Sequence, residues 1–167
     1  GGHTRSRRLE IMHDKRAGAY AVAGGVLLLL VQWAAIASLA GPSRRWVLLL
    51  FPALSRWGMA LALGLFPYAR QQGLGAAFRG TGPTQVAVAG ATALLAAALL
   101  GGGGGLLLFA VATVLAWLLG LGISRLLGGL TGDTYGAIDE VTEVVVLLVA
   151  VAVSPHLAVL PLWQGWL

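Results

Sequence analysis

The sequence predicts an all-α fold, a polytopic transmembrane helix bundle with about five spans in this chain. Two observations carry that prediction. Of the 167 residues, 58% are hydrophobic and only 10% are charged, against roughly a quarter charged in a water-soluble domain. A chain this apolar, with mean hydropathy +0.86, cannot cover a water-facing surface, and lipid is the solvent that suits it. The second observation is spacing: the apolar residues fall in long runs separated by short polar or glycine-rich links.

The elements follow in order. Residues 1–18 are polar and basic and read as a segment outside the membrane. Residues 19–40 form an apolar run that spans a hydrocarbon core of about 30 Å at 1.5 Å per residue. After the turn Gly41-Pro42-Ser43-Arg44-Arg45 comes a second run, 46–66, with one charge, Arg56. Residues 67–84 are a polar loop. Residues 85–100 are Ala-rich and short for a span, and Gly101 to Gly105 form a five-glycine break suited to a tight connection. A fourth run covers 106–123, a Gly-rich link covers 124–136, and a fifth run covers about 136–160. Trp163 and Trp166 beyond it suit an interfacial belt. The whole chain, 1–167, reads as a single integral membrane domain. No signal peptide is visible, and the opening Gly1-Gly2-His3 reads as a chain without its natural N-terminus.

Several function classes are excluded. There is no cysteine, hence no disulfide, thiolate zinc site or cysteine nucleophile. The net charge of +5 does not point to nucleic acid, because the basic residues sit in short loops with few exposed aromatics to stack bases. They read instead as orientation signals. With alternating crossings, 1–18, 67–84 and 124–136 share a side and carry Arg5, Arg7, Arg8, Lys15, Arg16, Arg70, Arg79 and Arg125, while the other side carries Arg44 and Arg45. The positive-inside rule puts the first set in the cytoplasm.

All six acids fall in two clusters on that same side: Glu10 with Asp14, and Asp133 with Asp139, Glu140 and Glu143. On a helix from about Asp133, the positions Asp133, Gly136, Glu140 and Glu143 share one stripe by three- and four-residue spacing, and Asp139 points elsewhere. Three carboxylates with glycine between them suit a divalent cation such as Mg²⁺, which takes one or two carboxylates plus substrate phosphates. The competing account is that the acids pair with arginines and hold the bundle together, or favour a helix N-terminus. Arg56, inside a span, calls for a carboxylate from another helix. Lys15 and Arg16 can neutralise the first acidic cluster or contact phosphate, for which arginine is well shaped. Tyr68, Arg70 and Arg79 are either phosphate or base contacts or interfacial anchors. His13 lies between Glu10 and Asp14, and a lone interfacial histidine is more often a surface residue than a ligand; His3 and His156 have no companion at metal-binding spacing. There is no phosphate-binding glycine loop of the nucleotide-binding kinds and no Ser/His/Asp pattern.

Three blocks, RRLEIMHDKRAGAY, SRWGMALALGLFPYARQQGLGAAF and GGLTGDTYGAIDEVTE, stand in this order between hydrophobic runs. Together they resemble the cobalamin synthase family, over most of the chain to about Val149. The resemblance implies a multi-pass enzyme of the bacterial inner membrane, active on the cytoplasmic face, with adenosylcobinamide-GDP and α-ribazole (or its 5′-phosphate) as substrates and Mg²⁺ as cofactor. A ribazole hydroxyl attacks the phosphorus that stays with cobinamide, and GMP leaves. Carried over by position, Glu10, Asp14, Arg16 and Gly18 match the first block, Arg56, Tyr68 and Arg70 the middle one, and Asp133, Gly136, Glu140 and Glu143 the last. Asp14, Asp133 and Glu140 are the expected catalytic and Mg²⁺-binding residues, with Glu143 a further ligand, and Arg16, Arg70 and Lys15 are expected at phosphate. Any of the carboxylates can serve as base for the hydroxyl.

Lys15 departs from the family pattern, Asp139 lies off the stripe, and an acidic block that the family carries upstream is not in the chain. The chain is therefore expected to be the later part of a longer family domain, with an incomplete site if that block supplies ligands. The readings set against this one are an ion-coupled transporter or channel, a phosphotransferase of the CDP-alcohol type, whose compact Asp motif is not in the chain, and an assembly subunit. A homo-oligomer is left open.

Overall fold

The computed structural model describes residues 4–12, 18–41, 43–69 and 81–153. They form five helices: α1 (Arg5–Ile11), α2 (Ala19–Ser38), α3 (Ser43–Leu65), α4 (Pro83–Leu127) and α5 (Gly132–Val153). Among the described residues the extended backbone amounts to one isolated bridge, Tyr68 to Leu130. α2, α3 and α4 are each long and apolar enough to cross a membrane. α5 has a similar length but carries four acids, Asp133, Asp139, Glu140 and Glu143.

α4 is two passes rather than one. Gly102 leaves helical geometry at φ 52°, ψ −132°, a conformation open to glycine and hostile to residues with a Cβ. The chain turns back there. A Cβ at Gly105 would strike the carbonyl oxygen of Ala97, although eight residues of straight helix would hold the two about 12 Å apart. The five-glycine break is thus a helical hairpin. Gly105→Val is expected to destabilise the bundle by about 1–3 kcal/mol, the usual cost of overpacking, read as a lower melting temperature in detergent. An unchanged melting temperature would mean that the arms are not in this contact.

The other contacts fix the directions. Against the first arm of α4, α3 runs antiparallel: a Cβ at Gly90 would lie 2.8 Å from the Trp57 ring and one at Gly101 2.8 Å from Trp46. Against the second arm it runs parallel, with Gly58 beside Ala116 and Trp57 stacked on Phe109 at 5.8 Å. Trp57 also donates to Thr113 Oγ1 at 2.9 Å. α5 packs antiparallel to α3 and parallel to α2. In lipid, burial of apolar surface does not drive helices together, so close approach of small residues and interhelical hydrogen bonds do that work. Both are present here.

Two apolar clusters form the core. One joins Ala35 of α2, Leu39 just after it, Trp46, Leu50 and Leu54 of α3, and Val146, Leu147 and Ala150 of α5. The other, nearer the end that holds α1, joins Ala62, Ala116, Leu130, Tyr135 and Ile138. Between them lies a polar layer of Gln32, Ser55, Arg56, Asp139 and Glu143.

Candidate functional site

The end of the bundle that carries α1 is built from three pieces of chain. Thr131 precedes α5 and exchanges hydrogen bonds with Thr134: the Thr131 amide donates to Thr134 Oγ1 at 2.8 Å, and the Thr134 amide donates to Thr131 Oγ1 at 3.4 Å. This reciprocal pairing satisfies amide donors that a helix start leaves open. The segment before it, Gly128 to Thr131, is tied to the segment after α3. Ala69 donates to the Leu130 carbonyl at 2.7 Å and Leu130 donates to the Pro67 carbonyl at 2.8 Å. Tyr68 and Tyr135 stack at 6.5 Å. Gly129 has φ +147°, and a Cβ there would lie 2.5 Å from the Pro67 oxygen, so the approach depends on glycine. α1 closes this end. Arg5 and Arg8 donate to the Gly128 and Leu126 carbonyls at 3.4 and 3.3 Å, placing cations at the negative end of α4.

The carboxylates of α5 separate into two sets. Asp133 and Glu140 are exposed, two turns apart or about 10 Å along the axis. Between them Gly136 leaves open space. Asp139 and Glu143 are buried, 7% and 9% exposed. Glu143 accepts from Gln32 Nε2 at 2.7 Å through Oε2 and from Ser55 Oγ at 3.1 Å through Oε1. Arg56 pairs with Asp139 and reaches Glu143 Oε1 at 3.6 Å. Asp139 points away from Asp133 and Glu140, as expected; what needs correction is the place of Glu143 on their stripe, since it turns into the bundle beside Asp139, where α3 brings Arg56. The expected carboxylate partner for Arg56 is present twice over.

Of the residues expected at the site, Asp133 and Glu140 lie together on the open face, and Glu143 lies deeper, held by donors on both oxygens. Asp14, Lys15, Arg16 and Arg70 lie outside the described residues, as do Arg79 and the three histidines. Glu10 pairs with Arg7 at 2.8 Å on exposed α1. Among the described residues no three His, Cys, Asp or Glu side chains are grouped to hold a metal. Asp133 and Glu140, about 10 Å apart along the axis, do not by themselves make a cage for a metal. Gln32 and Ser55 were not picked out by sequence reasoning. Gln32 had a signal, as an amide within an apolar run. Ser55 had none.

The geometry joins the second and third sequence blocks at one place, and comparison with known proteins assigns that combination. The family model for cobalamin-5-phosphate synthase matches residues 1–151. This chain belongs to that family. Among its curated relatives, an adenosylcobinamide-GDP ribazoletransferase of Pseudomonas paraeruginosa is 43% identical over 86% of this chain and 59% of its own length. One from Roseiflexus is 41% identical over 91% and 57%, and one from Desulforamulus reducens is 37% identical over 85% and 57%. The matches thus span 57–59% of the length of these relatives. No solved structure matches the chain. In this member of the cobalamin synthase family the bridge between Tyr68 and Leu130, the Tyr68–Tyr135 stack and the contacts of Ser55 and Arg56 with Glu143 and Asp139 join the middle and last blocks.

Proposed function

We propose that this bundle carries out the transfer that its relatives are named for: joining adenosylcobinamide-GDP to α-ribazole, or its 5′-phosphate, with release of GMP. The observation that supports this most is the meeting of the two loop segments at one end, with Asp133 and Glu140 exposed beside them. In the proposed reaction a ribazole hydroxyl oxygen forms a bond to the phosphorus attached to cobinamide, the bond from that phosphorus to the GMP oxygen breaks, and the hydroxyl proton passes to a carboxylate. Asp133 and Glu140, with Asp14, are the proposed ligands of Mg²⁺, which when bound supplies charge neutralisation at the diphosphate. Glu143 is the weaker choice as ligand, since donors already hold both of its oxygens. Arg16, Arg70 and Lys15 are the proposed phosphate contacts.

The proposed location is the bacterial inner membrane with the α1 end facing the cytoplasm, as the basic residues of that end favour. A transporter reading has one observation on its side, the polar layer inside the bundle. It is the weaker reading because Arg56, Ser55 and Gln32 already occupy those acids.

The test is turnover. The chain in lipid nanodiscs, and beside it a form carrying the additional length of the relatives, would receive adenosylcobinamide-GDP, α-ribazole and Mg²⁺. GMP release with stoichiometric corrinoid product from either form is the expected result. Two well-folded preparations without product would overturn the proposal.

A further inference from the structure

Arg56 poses a solvation problem that its ion pairs do not solve. It lies roughly 20 Å along α3 from Ser43 and 14 Å from Leu65, well inside a helix long enough to cross a bilayer. Asp139 and Glu143 engage part of the guanidinium, yet the Arg56 side chain stays 57% exposed. Contact of that open portion with lipid chains is costly, and arginines at such depth face protein, water or a polar cavity.

The ion pairs set Arg56 against one face of α5. Asp139 and Glu143 continue the line of Gly132 and Gly136 along α5 by three- and four-residue spacing. From Arg56 toward the α1 end, that line is uncovered: Gly132, Asp133, Gly136 and Glu140 are exposed, and a Cβ at Gly132 or Gly136 would meet nothing within 4 Å. α2 covers α5 only on the far side of this level, where Gln32 reaches Glu143 and Ala35 and Leu39 join the core. Between Ala19 and Val31, every residue of α2 is exposed except the half-buried Leu28. α2 therefore stands away from α5 over its first turns. The two helices enclose a wedge with Gln32, Arg56 and Glu143 at its apex. At the same level Asp139 is 7% exposed and its buried Oδ1 has no hydrogen-bond partner among the described residues.

We propose that this wedge is a water-filled inlet from the α1 end of the bundle to Arg56, and that it admits polar groups that are neutral or cationic. The charge preference follows from the apex itself, where two carboxylates face one guanidinium and leave one formal negative charge in excess. Glu140 on the wall adds to it. An anionic group that brings no cation with it is disfavoured there on the same count.

The chain has no cysteine, so a single introduced cysteine is the only thiol. Gly136→Cys and Glu140→Cys sample the inlet at two depths, the second beside Asp139. Val88→Cys samples the outward face of α4 at a comparable depth, where Val88 is 58% exposed. Each variant, in nanodiscs, would be treated with a cationic and with an anionic methanethiosulfonate. Thiols in apolar surroundings react slowly because the thiolate is suppressed. The expected result is labelling of Gly136→Cys and Glu140→Cys by the cationic reagent at least about tenfold faster than Val88→Cys, with the anionic reagent slower at Gly136→Cys. Rates at the Val88→Cys level would mean that lipid fills the wedge and would overturn the proposal. Equal rates for the two reagents at Gly136→Cys would overturn its charge preference. The experiment reads water access and not turnover, so its outcome is independent of the proposed activity.

Discussion

Replacing Arg56 by leucine is expected to destabilise the folded bundle by about 2–3 kcal/mol. Removing one partner of an enclosed ion pair costs about 3–5 kcal/mol because the other charge is left uncompensated. The figure here is lower because the Arg56 side chain is 57% exposed while the carboxylates of Asp139 and Glu143 are 10% and 12% exposed. The loss comes from the stranded acids and not from a missing contact, which makes it recoverable. The triple variant Arg56→Leu, Asp139→Asn, Glu143→Gln is expected to regain most of the stability, since neutral amides keep the shape and the hydrogen-bonding capacity of the layer. Thermal or steric-trap unfolding in detergent measures both. A triple variant no more stable than Arg56→Leu would show that the guanidinium acts through packing and not through charge.

Replacing Glu140 by glutamine is expected to act in the opposite way, on turnover and not on stability. Glu140 is exposed, so an amide of the same size costs the fold little. If its carboxylate serves the transfer, GMP release falls by a factor of about 100 or more, the scale on which single electrostatic contributors to a transition state are measured. Asp133→Asn is expected to behave alike, from the first turn of the same helix. Full turnover by both variants would remove the open face of α5 from the chemistry.

Much of this arrangement is legible in the chain. The apolar runs mark the helices because length and hydropathy alone decide whether a segment can cross a bilayer. The glycine break marks the hairpin because its turn needs a backbone conformation that glycine tolerates, and Gly102 adopts it. The demand of Arg56 for a carboxylate follows from the cost of a bare charge in an apolar setting. What the chain does not reveal is the assignment of the acids to two faces. Asp139 and Glu140 are neighbours of similar chemistry, and either can turn inward on a helix. The choice is made by α3, which brings Arg56 and Ser55 from some 85 residues away in sequence. Spacing along α5 groups Glu143 with Gly136, yet it says nothing about Gln32, whose amide reaches Glu143 only because α2 and α5 run parallel at that level. Local sequence fixes periodicity, and the neighbour of each face is set by packing between distant segments.

The acids of α5 divide into an exposed pair proposed for the chemistry and a buried pair that holds the bundle, and one comparison tests that division directly: Glu140→Gln against Glu143→Gln in the same preparation, with GMP release and melting temperature measured on each. The predicted result is a crossed pattern, in which Glu140→Gln loses turnover and keeps its melting temperature, while Glu143→Gln melts several degrees lower. Glu143→Gln that melts normally and is inactive, beside Glu140→Gln that turns over normally, would contradict it.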